Sequence, residues 1–127
     1  MERTSISGDE RVFRHIPGGT TFQAPGPRIT SKNFALRPER GERGVSISRE
    51  SFTTANELIA KIGDLKSGSR IAVVTVDEIR ELGLDVITDP LPNDLGHALI
   101  ISGAETLDSQ TTRRRLAELF QFIDPPS

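Results

Sequence analysis

The chain contains no cysteine, tryptophan or tyrosine, and six phenylalanines are its whole aromatic complement. Without cysteine sulfur there is no disulfide scaffold, no thiolate nucleophile and no cysteine-ligated zinc site. Long apolar runs are missing too, since nothing approaches the roughly 20 residues that cross a bilayer. No charged-then-apolar leader opens the sequence, so the expectation is a cytoplasmic protein with no membrane association. At 127 residues, 35% hydrophobic and 27% charged, the chain fits one small soluble domain.

Charge of one sign is not in excess overall, the net being -2, but it is unevenly placed. Residues 1–50 carry nine basic groups against six acidic ones, and eight of the nine are arginine; residues 51–127 carry seven basic against twelve acidic. Arginine grips phosphate or carboxylate through two donors at once, so the first part offers an anion-facing patch or a solvated loop surface. The acidic total and scarce aromatics argue against a nucleic-acid partner.

Residues 1–10 are small and polar and read as a flexible N-terminus, leaving 11–124 as the domain. Val12, Phe13 and Ile16 form a first strand stopped by Pro17-Gly18-Gly19. A Pro/Gly-rich loop follows, then an extended piece through Ile29, Phe34 and Leu36, then a polar loop at 37–44. Val45-Ser-Ile-Ser-Arg49 alternates at period two, which predicts a strand with Val45 and Ile47 inward. Thr54-x-x-Glu57 and Thr75-x-x-Glu78 are capping boxes, opening a helix to about Asp64 and a short one ended by Gly83. Between them Arg70–Val76 is a β-branched run expected to be buried on both faces. Short strands at 84–88 and 97–101 and a helix over 107–123 complete the chain. The pattern predicts α+β: a mixed, mostly antiparallel sheet with about three helices. Its first third is loop-rich, so that 11–50 holds the arginines and 51–124 most of the core.

Chemistry has few carriers here. His15 and His97 are the only imidazoles, and imidazole is the acid–base group suited to neutral pH. His97 follows a loop containing Asp89, Asn93 and Asp94, where a carboxylate could orient the ring; the plainer alternative for each histidine is a satisfied polar residue at a sheet edge. The catalytic candidates are His97, His15, Arg14 and Glu50. Ser46 and Ser48 share the polar face of their strand, so Arg14, Ser31, Phe34, Ser46, Ser48 and Arg49 are the candidate ligand contacts. No spacing suits a metal site, a phosphate-binding loop or a Gly-x-Ser-x-Gly elbow, and the residues call for no cofactor.

The succession Phe13-Arg-His-Ile16, Ile29-Thr-Ser-x-x-Phe34, Gly44-Val-Ser-Ile-Ser48, Val73 to Leu84 and His97-Ala-Leu-Ile100 resembles a family of small uncharacterised bacterial proteins. These have an Arg-Ile start, Ser-x-x-Phe, Leu-Ser-Val and a late His-Ala. The resemblance covers about residues 12–101. It implies significance for Arg14, Ser31, Phe34, Ser46 and His97 and an association with defence or toxin operons. More faintly, the first-strand Arg14 or His15, the Ser46-Ile-Ser48 strand and a later Glu50 or Glu105 resemble ADP-ribosyltransferases. There they would be the nicotinamide-ribose contact, the serine motif and the catalytic acid, although no tyrosine is present to stack on nicotinamide.

Two functions follow as expectations. The first is an accessory domain that engages a protein partner through its N-terminal half, because residues 1–44 carry little apolar material of their own. The second is an enzyme acting on a nucleotide or RNA, either ADP-ribosyltransferase-like or a metal-independent ribonuclease. The ribonuclease would use His15 and His97 as acid and base, with arginine as phosphate clamp.

Overall fold

A computed structural model describes residues 6–16, 29, 31–36, 44–54, 57–58, 70–107 and 109–123. Six strands form one sheet: β1 Arg11–Ile16, β2 Val45–Arg49, β3 Arg70–Thr75, β4 Leu84–Thr88, β5 His97–Ser102 and β6 Gln121–Phe122. Their spatial order is β4-β5-β2-β1-β3-β6. Among the described residues all five pairings are antiparallel, which fits the expected α+β fold with a mostly antiparallel sheet.

Two α-helices, α1 Val76–Glu81 and α2 Gln110–Leu119, accompany the sheet among the described residues; about three were expected. The expected helix at 54–64 lies mostly outside the described residues. Its cap is present: the Glu57 amide donates to Thr54 Oγ1 at 3.1 Å, and the Leu58 amide to the Thr54 carbonyl at 3.0 Å. At the second box Thr75 Oγ1 accepts from the Glu78 amide while Glu78 Oε1 accepts from the Thr75 amide at 3.1 Å. This reciprocal cap satisfies donors a helix start leaves open, and it ends β3 at Thr75, one residue earlier than the apolar run.

Two further segments differ from the pattern. The piece expected to be extended holds a 3-10 helix, Ser31–Phe34, whose three-residue turn carries Phe34 into the core. Its ring lies 5.2 Å from that of Phe120 and is wholly buried. The last helix stops at Leu119 rather than Ile123, because Phe120 turns extended (φ -68, ψ 140). The chain then pairs with the edge of β3 through Ala72↔Phe122 and Val73↔Gln121. Hydrogen bonds along an open strand edge outweigh another turn of helix.

The core lies on one face of the sheet. Val12, Ile16, Val45, Ile47, Ala72, Val74, Val86, Ala98 and Ile100 meet Val76 and Ile79 of α1, Leu116 of α2, and Phe34, Leu107 and Phe120. Period-two alternation sends Phe13, His15, Ser46, Ser48, His97 and Leu99 to the other face. The N-terminal third is part of this core. β1 lies between β2 and β3, and Ile6, Val12, Ile16 and Phe34 are each at most 1% exposed. Ile6, at the start of the described residues, is buried in this core. Glu10 pins the same region. It accepts from Arg49 Nη2 at 2.9 Å, from the Ser51 amide at 3.1 Å and from Ser51 Oγ at 2.8 Å.

Candidate functional site

The pairing of β1 with β2 runs only through Val12↔Arg49 and Phe13↔Ser48, whereas β1 meets β3 over six pairs and β2 meets β5 over four. Past Phe13 the two central strands part. Arg14 bridges them by donating from Nη1 to the Ser46 carbonyl at 2.6 Å, with its guanidinium 5.6 Å from the centre of the Phe34 ring. A cationic planar group over an aromatic face is a stable way to hold a charge beside an apolar core. Over this parting lies an open groove of about 380 Å³, with Arg14, His15, Ser46, Ser48, Asp94 and His97 as its polar lining.

Both histidines of the chain therefore belong to one groove. Regular strand spacing of about 4.8 Å and rise of about 3.4 Å would put their Cα atoms on the order of 12 Å apart, and the parting of β1 from β2 adds to that. They line the same groove well apart from one another.

His97 is the more strongly built of the two. Phe13, Ser48 and His97 form a cross-strand row through Phe13↔Ser48 and Ser48↔His97. The Asp89 amide, donating to the His97 carbonyl at 2.9 Å, extends that row past β4. His97 Nδ1 lies 3.0 Å from both the Asp89 carbonyl oxygen and Asp89 Oδ2. A carbonyl and a carboxylate can only accept, so Nδ1 must hold the proton, and in the neutral ring Nε2 is left as the acceptor. His97 is half-buried, with its side chain 15% exposed, so the orientation is held by packing as well as by Asp89.

His15 differs. Its edge is exposed, yet partial burial against the sheet, and secondarily the neighbouring Arg14 charge, lower its pKa below the ordinary 6.5. Both causes disfavour the cation, so His15 is neutral at pH 7.

The other expected site residues lie elsewhere. Phe34 is a core residue beneath Arg14, and Ser31 begins the 3-10 helix. Arg49 points to the core side and is held by Glu10, with Phe52 5.2 Å away. Glu50 accepts from Arg11 Nε at 2.7 Å, and Glu105 packs at the Gly83 turn. None of these lines the groove. Asp94, named in sequence only as part of the loop before His97, does line it, as do Leu36 and Gly44. Gly44 carried no chemical signal. Its place follows from close approach, since a Cβ there would sit 2.5 Å from the Ile100 carbonyl.

Among the described residues no group of three or more His, Asp or Glu is placed to hold a metal ion, and no helix is long and apolar enough to cross a membrane. Comparison with protein-family models, curated proteins and solved structures yields no match to this chain.

Proposed function

We propose that the protein binds a small phosphate ester, a nucleotide being the class in view, in the groove over β1, β2 and β5, and moves a proton on it through His97. One observation carries this reading: the only two histidines of the chain line the same groove, beside Arg14 and two serine hydroxyls. Asp89 leaves His97 Nε2 as the proton acceptor, the state general-base catalysis requires. His15, neutral at pH 7, donates its ring N–H to a phosphate oxygen at the far end, and Arg14 supplies positive charge. The test is turnover of p-nitrophenyl phosphate and bis(p-nitrophenyl) phosphate at pH 7. Wild-type protein is expected to release p-nitrophenolate, and His97→Gln to be slower by about 10²-fold or more. No turnover of either ester, together with unchanged His15 and His97 NMR signals on adding inorganic phosphate, would overturn it.

A second reading, an accessory domain docking on a protein partner, draws on a different observation. Phe52 and Leu95 are 52% and 64% exposed and share a cleft with Pro92 beside Asp94. Exposed apolar residues gathered in one place favour association. On this reading the partner surface is the seam of residues 52 and 92–96. Phe52→Ser with Leu95→Ser is expected to abolish capture of such a partner while leaving phosphate-ester turnover intact.

A further inference from the structure

We propose that Ser48, His97 and Asp89 form a nucleophilic relay, in which the Ser48 hydroxyl attacks the bound ester and passes through a covalent phosphoseryl intermediate. This rests on the groove being a phosphate-ester site and adds the attacking atom.

The relay is written in the sheet register. Ser48 and His97 are directly opposed on β2 and β5. The Arg49 amide donates to the Gly96 carbonyl at 2.9 Å, so the main chain of Arg49, not that of Ser48, bonds toward β5. Ser48↔His97 is therefore a non-hydrogen-bonded pair, the narrow kind that brings opposed side chains closest, with Cβ atoms about 4.5–5.5 Å apart. On the other flank of His97, Asp89 takes Nδ1 at 3.0 Å. The three residues thus stand in one line across adjacent strands, with hydroxyl, imidazole and carboxylate in the order that activates a serine. Both Ser48 and His97 line the groove. Ser46 lies one pleat repeat away, opposite Leu99 rather than the imidazole. That difference selects Ser48 from two hydroxyls that look equivalent in sequence.

The chemistry balances without a co-reactant other than water. Ser48 Oγ bonds to phosphorus as its proton passes to His97 Nε2, and the bond from phosphorus to the leaving oxygen breaks as that oxygen takes the proton. Water then attacks phosphorus with His97 again accepting a proton. The Ser48 Oγ–P bond breaks and the proton returns to Oγ. Asp89 is a positioning residue: it keeps the Nδ1 proton in place and Nε2 directed away from it.

The experiment uses the full chain and an alkyl fluorophosphonate as probe, with the modified residue located by peptide mass mapping. Attack by Ser48 would displace fluoride and leave a phosphonyl group on Oγ. The expected result is one adduct, on Ser48, with labelling slowed at least tenfold in His97→Gln. Asp89→Asn should slow it as well and shift its pH profile, and ¹⁵N spectra of His97 should lose the single Nδ1–H tautomer expected of wild type. Folded wild-type protein without a Ser48 adduct, or equal labelling in His97→Gln, would overturn the relay. Ester turnover with Ser48 unlabelled leaves the phosphate-ester reading standing and removes the relay. Labelling of Ser48 without ester turnover does the reverse, keeping the relay and changing the substrate class.

Discussion

Asp89 and His97 are joined through both main chain and side chain: the Asp89 amide donates to the His97 carbonyl at 2.9 Å, and His97 Nδ1 returns to the Asp89 carbonyl and carboxylate at 3.0 Å each. The pair closes the 89–97 loop and sets the imidazole in one act. A double-mutant cycle of Asp89→Ala and His97→Ala, followed by urea unfolding, is expected to give a coupling energy of about 1 kcal/mol. Additive losses would mean that the side-chain contact contributes nothing to the loop.

Glu10 and Arg49 tie the start of the described chain to the end of β2. Burial acts to raise the Glu10 pKa, but the hydrogen bonds from Arg49 and Ser51 outweigh it and hold the carboxyl below its ordinary 4.5. A depressed folded pKa means that the unfolded chain binds the proton more tightly. The stability from Glu10 is therefore complete above about pH 4.5 and is lost as pH falls through the lower folded value. Glu10→Gln is expected to cost about 1–3 kcal/mol at pH 7 and to flatten stability against pH below 4.5.

His15 has a lowered pKa for a different reason, burial first and the Arg14 charge second. Its protonation is harder in the folded chain, so His15 makes no pH-dependent contribution well above 6.5 and removes stability as pH falls below that value. By NMR its titration midpoint is expected below 6.5. Arg14→Gln should raise the midpoint only part of the way back, because burial is the larger cause.

Phe34, expected to meet a ligand, is instead the floor on which Arg14 rests. Phe34→Ala should destabilise the fold by about 3–5 kcal/mol, as for other buried aromatic truncations. Phe34→Leu should cost less while still weakening phosphate-ester binding, since it removes the ring face beneath the guanidinium. Equal binding in Phe34→Leu and wild type would show that Arg14 needs no such support.

Gly83 holds a positive φ of 87°, and a Cβ there would come within 2.6 Å of Glu105 Cγ. Gly83→Ala is expected to cost about 1–2 kcal/mol from backbone strain alone, with the clash adding to it, read as a lower urea midpoint without a change in slope.

Much of the fold was legible locally because local physics decides it. Val45-Ser-Ile-Ser-Arg49 alternates, so its inward pair could be named; Thr75-x-x-Glu78 caps a helix wherever it stands; the Leu84–Thr88 and His97–Ser102 strands follow their apolar runs. The loss of the last turn of α2 to β6 was not legible. Nothing in Phe120-Gln-Phe122 announces that the edge of β3 lies within reach. Phe34 also read as a ligand contact, whereas Phe120, 86 residues later in the sequence, lies against it in the core.

The site divides in the same way. Sequence alone determined which groups are available: two imidazoles, no thiol, a serine pair on one strand face, and an Asp-bearing loop before His97. Only the tertiary structure decided which of them meet. By placing β1 and β5 on either side of β2, the sheet brought His15 and His97 to one groove, while Arg49 and Glu50 were drawn into ion pairs with Glu10 and Arg11. Pairing across a sheet is set by long-range register and by which charges it brings together. Neither is encoded in the spacing of residues along the chain.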